Sequence, residues 1–232
     1  MKRPAIITAI LIWGCLLNTV LAAGADYHCL FVRGEWNSAD WLIIKEPRFA
    51  KLGEWIQETD CIRNRVPENA TKDELVGKRA DETFTSMILK DKIYEDVEIR
   101  STLSFDDRMA PAIIVRAELD KNKDGSPENR NMCNVVIYDE GINIWLYNHA
   151  DFVAGKRGWR KAAFSRFKLL SKTQYEVIVT VKKNCLEVRV GDHHLGLTDD
   201  AIPAKGYMGI CGCEGVNRFY NFSLKELGAA KK

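Results

Sequence analysis

Four runs decide the fold: Tyr175-Glu-Val-Ile-Val-Thr-Val181, Leu186-Glu-Val-Arg-Val190, Gly206-Tyr-Met-Gly-Ile-Cys-Gly-Cys213 and Phe219-Tyr-Asn-Phe-Ser-Leu-Lys-Glu-Leu227. The first two alternate apolar and polar residues, and Gly, Asp and Asn punctuate the stretches between runs. Period-2 runs rich in Val, Ile, Tyr and Phe, separated by turn residues, predict antiparallel strands of a sandwich or barrel. The segment Tyr175–Leu227 therefore reads as a β-sandwich closing its final sheet.

The same pattern extends upstream. Trp41-Leu-Ile-Ile44, Phe84-Thr-Ser-Met-Ile-Leu89, Asp96 to Phe105, Ala112 to Glu118, Asn134-Val-Val-Ile-Tyr138 and Ile142-Asn-Ile-Trp-Leu-Tyr147 are further strand candidates. Asp139-Glu-Gly141 between the last two signals a tight turn. Lys72-Asp-Glu-Leu-Val76 is the one short-helix candidate, in an otherwise polar stretch. The expected architecture is all-β: a two-sheet antiparallel jelly-roll sandwich with one short helix.

Met1-Lys-Arg3 followed by the apolar run Ala5–Val20 and the small residues Leu21-Ala-Ala-Gly-Ala25 has the layout of an export signal cut before Asp26. This predicts residues 1–25 as signal peptide and 26–232 as a single exported domain, periplasmic, cell-surface or extracellular, with no stable membrane insertion after cleavage. A 46% apolar and 28% charged composition is that of a globular chain, and a net charge of +2 argues against nucleic acid as a partner. Apart from Cys15 in the leader, the cysteines are Cys29, Cys61, Cys133, Cys185, Cys211 and Cys213. An even number in an exported chain predicts a disulfide framework, with small buried thiols as the alternative. Cys211 and Cys213, two apart on one strand, share a face, so a bond between them would be strained.

The order of motifs resembles the concanavalin A-like, laminin-G-type jelly roll, and within it the secreted 3-keto-disaccharide hydrolase domain family. The likeness rests on Ile93-Tyr-Glu-Asp-Val-Glu-Ile-Arg100, the arginine-bearing Ile113-Ile-Val-Arg116, the 135–147 pair and the runs from Tyr175 to Leu224. It implies a concave sheet that binds sugars. Arg108-Met-Ala-Pro-Ala112 replaces the family's usual approach to the arginine strand.

Alternation places Asn143, Trp145 and Tyr147 on one side of their strand and Ile114, Arg116 and Glu118 on one side of theirs. Arg116, Glu118, Asn143, Trp145 and Tyr147, with His149 and Trp159 in the loop beyond as a rim, make the candidate saccharide platform. Aromatic faces stack on sugar rings while polar groups hold hydroxyls. Glu118 and Asp139 are the candidate catalytic carboxylates, since glycoside hydrolysis needs two acids across the bond. Asp120-Lys-Asn-Lys-Asp-Gly125 matches the first half of a calcium loop, with Asp120, Asn122 and Asp124 as ligands; its twelfth position is Asn131 instead of the closing Glu. The function read from the sequence is carbohydrate binding. The alternatives are a glycoside hydrolase acting on (3-keto-)disaccharides or polysaccharide fragments, and a protein-binding adhesive module.

Overall fold

The structure, a computed structural model, describes residues 26–46, 49, 51–107 and 109–228. The leader expectation for residues 1–25 lies outside them. In chain order the strands are β1 (Tyr27–Leu30), β2 (Trp41–Ile44), β3 (Trp55–Gln57), β4 (Ile62–Asn64), β5 (Thr85–Leu89), β6 (Val97–Phe105), β7 (Ala112–Ala117), β8 (Leu119–Lys121) and β9 (Pro127–Asn129). There follow β10 (Asn131–Tyr138), β11 (Gly141–Asn148), β12 (Trp159–Arg166), β13 (Tyr175–Lys182), β14 (Cys185–Val190), β15 (His193–Thr198), β16 (Tyr207–Gly212), β17 (Asn217–Phe219) and β18 (Asn221–Glu226).

These form two large antiparallel sheets. A nine-stranded sheet runs β15-β14-β13-β6-β17-β4-β3, with β18 also on β6 and β1 on β18; a seven-stranded sheet runs β12-β11-β10-β7-β16-β5-β2. The fold is the expected jelly-roll sandwich. The closing segment, however, does not complete one sheet: β16 belongs to the seven-stranded sheet, while its neighbours in sequence, β15 and β17, belong to the other.

Two short α-helices are present where one was expected. In α1 (Lys72–Val76) the Thr71 hydroxyl accepts from the Glu74 backbone N–H and the Glu74 carboxylate accepts from the Thr71 backbone, a reciprocal capping box. The second, α2 (His149–Val153), is started by the Asn148 side chain accepting from Asp151 N. His149 therefore opens a helix, and Trp159 opens an edge strand; the sequence reading placed both in a loop.

The inward-facing residues of both sheets make the main core: Val97, Ile99, Leu103 and Val177, Val179, Val181 from one, Ile113, Val115, Val135 and Ile142, Ile144 from the other, all essentially inaccessible. Burying that many β-branched side chains, at about 25 cal/mol per Å² of apolar surface, is the main force holding the sheets together. A second apolar cluster lies on the outer face of the seven-stranded sheet, built from Ile44, Phe84, Ile88, Ala112, Ile114, Met132, Tyr147 and Cys211.

All six cysteines of the described residues are free thiols, which overturns the disulfide expectation. They are distributed over different strands and faces: Cys29 and Cys133 lie in the main core, whereas Cys211 lies in the outer cluster and Cys185 is exposed. Cys29, Cys61, Cys133 and Cys211 serve as small buried groups, the other reading of the same residues, while Cys213 is half-buried.

Candidate functional site: a groove on the seven-stranded sheet

Strand register explains the groove. On the outer face of the seven-stranded sheet, pairing aligns Ile44, Ser86, Cys211, Ala112, Val136, Asn143 and Phe164 in one row across the sheet. The adjacent row is Leu42, Ile88, Gly209, Ile114, Asn134, Trp145 and Lys161. Small residues at the centre, Ala112, Gly209 and Cys211, keep the floor low. Larger groups stand on either side: Trp145, Trp159, Lys161 and Arg166 toward β12, and Glu46 with the stacked Phe49–Phe84 pair (centroids 4.3 Å apart) toward β2. The result is a cavity of about 410 Å³, within the range of small-molecule sites.

Among the side chains that line it, Asn134, Asn143 and Trp159 carry unpaired polar atoms. Asn134 and Asn143 are only 7% and 5% exposed, yet Oδ1 of each has no hydrogen-bond partner, nor has Trp159 Nε1. A buried amide oxygen without a donor forfeits about 1–3 kcal/mol, so such groups are normally satisfied in a finished core. Here the residues that carry them line a cavity open to solvent. Trp145 and Trp159 remain half-buried beside them, and Lys161 Nζ sits 5.3 Å from the Trp145 ring centroid.

The groove collects Asn143, Trp145 and Trp159 of the residues chosen from sequence. Tyr147 shares their face but is 3% exposed, packed on Trp159 at 5.0 Å between centroids, and its Oη is 3.3 Å from His149 Nδ1. It supports the wall. His149 also contacts Arg130, and burial followed by the Arg130 charge lowers its pKa.

Arg116 does not join them. A bulge on β7, where the register with β16 shifts between Tyr207 and Gly209, puts Arg116 at φ +53° and turns it off the Ile114 face. The side chain is fully buried and donates to the carbonyls of Glu95 (2.9 Å), Pro203 (2.8 Å) and Lys183 and to Asp96 Oδ1. Gly206 lets β16 start against it: a Cβ there would meet the Arg116 backbone at 2.4 Å. Arg116 is a structural clamp.

The two catalytic candidates also fall outside the groove. Glu118 is exposed and accepts from Asn131 Nδ2 at 2.6 Å, and Asp139 lies in the β10–β11 turn. The carboxylates that line the groove are Glu46, Glu140 and Glu214. The calcium-like loop is the β8–β9 hairpin, and its oxygens are committed elsewhere. Asp120 pairs with Arg130 at 3.1 Å, Asn122 Oδ1 accepts from Lys123 N, and Asp124 accepts from Ser126 N and faces Lys45 at 3.6 Å. Among the described residues no group of three or more His, Cys, Asp or Glu is placed to hold a metal ion.

Sequence reasoning missed Asn134, Lys161 and the thiols as groove residues. Asn134 was within reach: a two-residue turn at Asp139–Glu140 sets the register that puts it opposite Trp145.

No protein-family model matches the sequence, the 3-keto-disaccharide hydrolase family included, and no curated protein does. Solved structures do share the fold. A carbohydrate-binding module, CBM66 from Bacillus subtilis, superposes with TM-score 0.58 at 11% identity, covering 81% of this chain and 96% of its own. A Bacillus subtilis protein of unknown function with a galectin-like fold gives TM-score 0.61 at 12% identity, with 88% and 96% covered. The exoplasmic/lumenal domain of VIP36, in a form bound to Ca2+ and Man3GlcNAc, gives 0.54 at 12% identity, with 85% and 87% covered. At these identities the likeness is one of fold: a jelly-roll sandwich. Among the described residues no helix is long and apolar enough to cross a membrane.

Proposed function

We propose that the chain is an exported, single-domain carbohydrate-binding protein whose ligand lies in the groove on the outer face of the seven-stranded sheet. The observation that carries this reading is the pair of buried, unpartnered amide oxygens of Asn134 and Asn143 beside the Trp145 and Trp159 rings. Sugar hydroxyls supply the missing donors, and the apolar face of a pyranose ring covers the indoles. That a carbohydrate-binding module and a domain solved with bound Man3GlcNAc share the fold supports the choice of ligand class. Binding leads on the strength of the amide oxygens and indole rings; both acids selected for catalysis stand outside the groove, and Glu46, Glu140 and Glu214, which line it, make hydrolysis the second reading. Calcium plays no part in this reading, since Arg130 and Lys45 already neutralise Asp120 and Asp124.

The test is saturation-transfer NMR and calorimetry against a panel of oligosaccharides, 3-keto disaccharides included, with and without a chelator. The reading predicts binding that persists in chelator, yields no new anomeric signals and is lost in Trp145→Ala. New anomeric signals would establish a hydrolase instead. Silence across the panel would point to a protein partner.

A further inference from the structure

We propose, resting on the saccharide reading above, that the groove selects an anionic saccharide, one bearing a uronate carboxylate or a sulfate ester, through Lys161 and Arg166. The register of β12 supplies the geometry. From Gly141↔Arg166 to Ile144↔Ala163 the strands β11 and β12 pair residue for residue; Trp145 then faces Lys161, so Ala162 is the extra residue of a bulge. Regular alternation would send Trp159 and Lys161 to one face and Phe164 and Arg166 to the other. The bulge cancels that difference. Trp159, Lys161, Phe164 and Arg166 all share the groove face with Asn143, Trp145 and Tyr147.

Two positive charges meet on that face. Lys161 Nζ and Arg166 Cζ each lie 5.8 Å from the Phe164 ring centroid, and Lys161 and Arg166 both line the cavity. Cation–π contact holds an exposed charge only weakly, so both stay available to a ligand. Among the described residues neither forms an ion pair. Arg160, on the other face of the same strand, is by contrast paired with Asp199 at 2.6 Å. The polar groups that β12 carries on the groove face are an indole N–H, an ammonium and a guanidinium, which donate and cannot accept. Trp159 Nε1 is moreover buried without an acceptor. An ionised acid group is the complement, since it accepts only and brings the opposite charge. The cavity's own carboxylates come from other elements: Glu140 from the β10–β11 turn, Glu46 and Glu214 from just beyond β2 and β16.

The test is calorimetry on the purified chain with oligomers of galacturonic, glucuronic and mannuronic acid. Each is compared with its carboxyl-reduced neutral counterpart and with a sulfated form of that counterpart. Two exposed cations are partly screened by water, so the anionic member of a binding set should bind about tenfold tighter than the neutral one. The preference should shrink at high salt and vanish in the Lys161→Gln/Arg166→Gln double variant, its fold verified by circular dichroism. Whether the uronate or the sulfated form binds tighter identifies the anion. Neutral oligomers bound as tightly as anionic ones, or a preference that survives the double variant, would overturn this proposal and leave the saccharide reading standing. Binding of no oligomer, neutral or anionic, would overturn both.

Discussion

Arg116 Nη2 lies 3.2 Å from Asp96 Oδ1, tying β7 of the seven-stranded sheet to the residue just before β6 of the nine-stranded one. The pair is the edge of a larger clamp, since the same guanidinium holds three backbone carbonyls that end the loops on that side of the sandwich. Arg116→Met should cost about 3–5 kcal/mol, because it strands those carbonyls and a carboxylate together. Arg116→Lys should recover little, as an ammonium cannot reproduce the planar fork. Urea denaturation of the three proteins measures both effects.

Asn143 separates stability from binding. Its unpartnered Oδ1 is a burden to the empty protein. Asn143→Leu, which keeps the same branching at Cγ and faces an open groove that can take its extra bulk, should raise stability by about 1 kcal/mol while abolishing saccharide binding. A melting curve and a calorimetric titration on the same sample check both halves.

The thiols give a third prediction. Denatured chain beginning at Asp26 should react with six equivalents of a thiol reagent without prior reduction, and reductant should leave the melting temperature unchanged. In the native protein Cys185, exposed beside Thr198, should react first. Cys133 should resist, fully buried with its pKa pushed by burial to about 12.

Acid sensitivity should centre on Glu58. Burial alone would raise its pKa, but hydrogen bonds from Arg218 (3.0 Å), Cys61 (3.3 Å) and Arg63 (2.8 Å) outweigh that and hold it below the ordinary value. A carboxyl depressed in the folded state stabilises above its unfolded pKa of ~4.3, and that contribution is lost as pH falls through the folded value. Stability should therefore decline below about pH 4.3, and Glu58→Gln should be less stable at neutral pH with a shallower acid decline. Urea midpoints across pH 2.5–7 for both proteins would show it.

The sandwich was legible because its core strands advertise themselves by alternation: Val177, Val179 and Val181 point inward as the pattern of Tyr175–Val181 requires. The placing of Asn143 and Trp145 on one face followed from the same parity. Arg116 was misread because parity fails at a bulge, and one extra residue sends every later side chain to the other face. Trp159–Arg166 escaped detection for a different reason. As an edge strand it buries little, and its two alanines, serine and five cationic or aromatic residues carry no clean period. The thiols were misassigned because an even count says nothing about which faces the cysteines occupy.

The most direct test of the central claim is to map a bound oligosaccharide on the isotope-labelled protein by amide and indole chemical-shift perturbation. The account predicts shifts concentrated on Asn134, Asn143, Trp145, Lys161 and the Trp159 indole N–H. Shifts centred instead on the outer face of the nine-stranded sheet, around Thr180, Glu187 and His194, would contradict it.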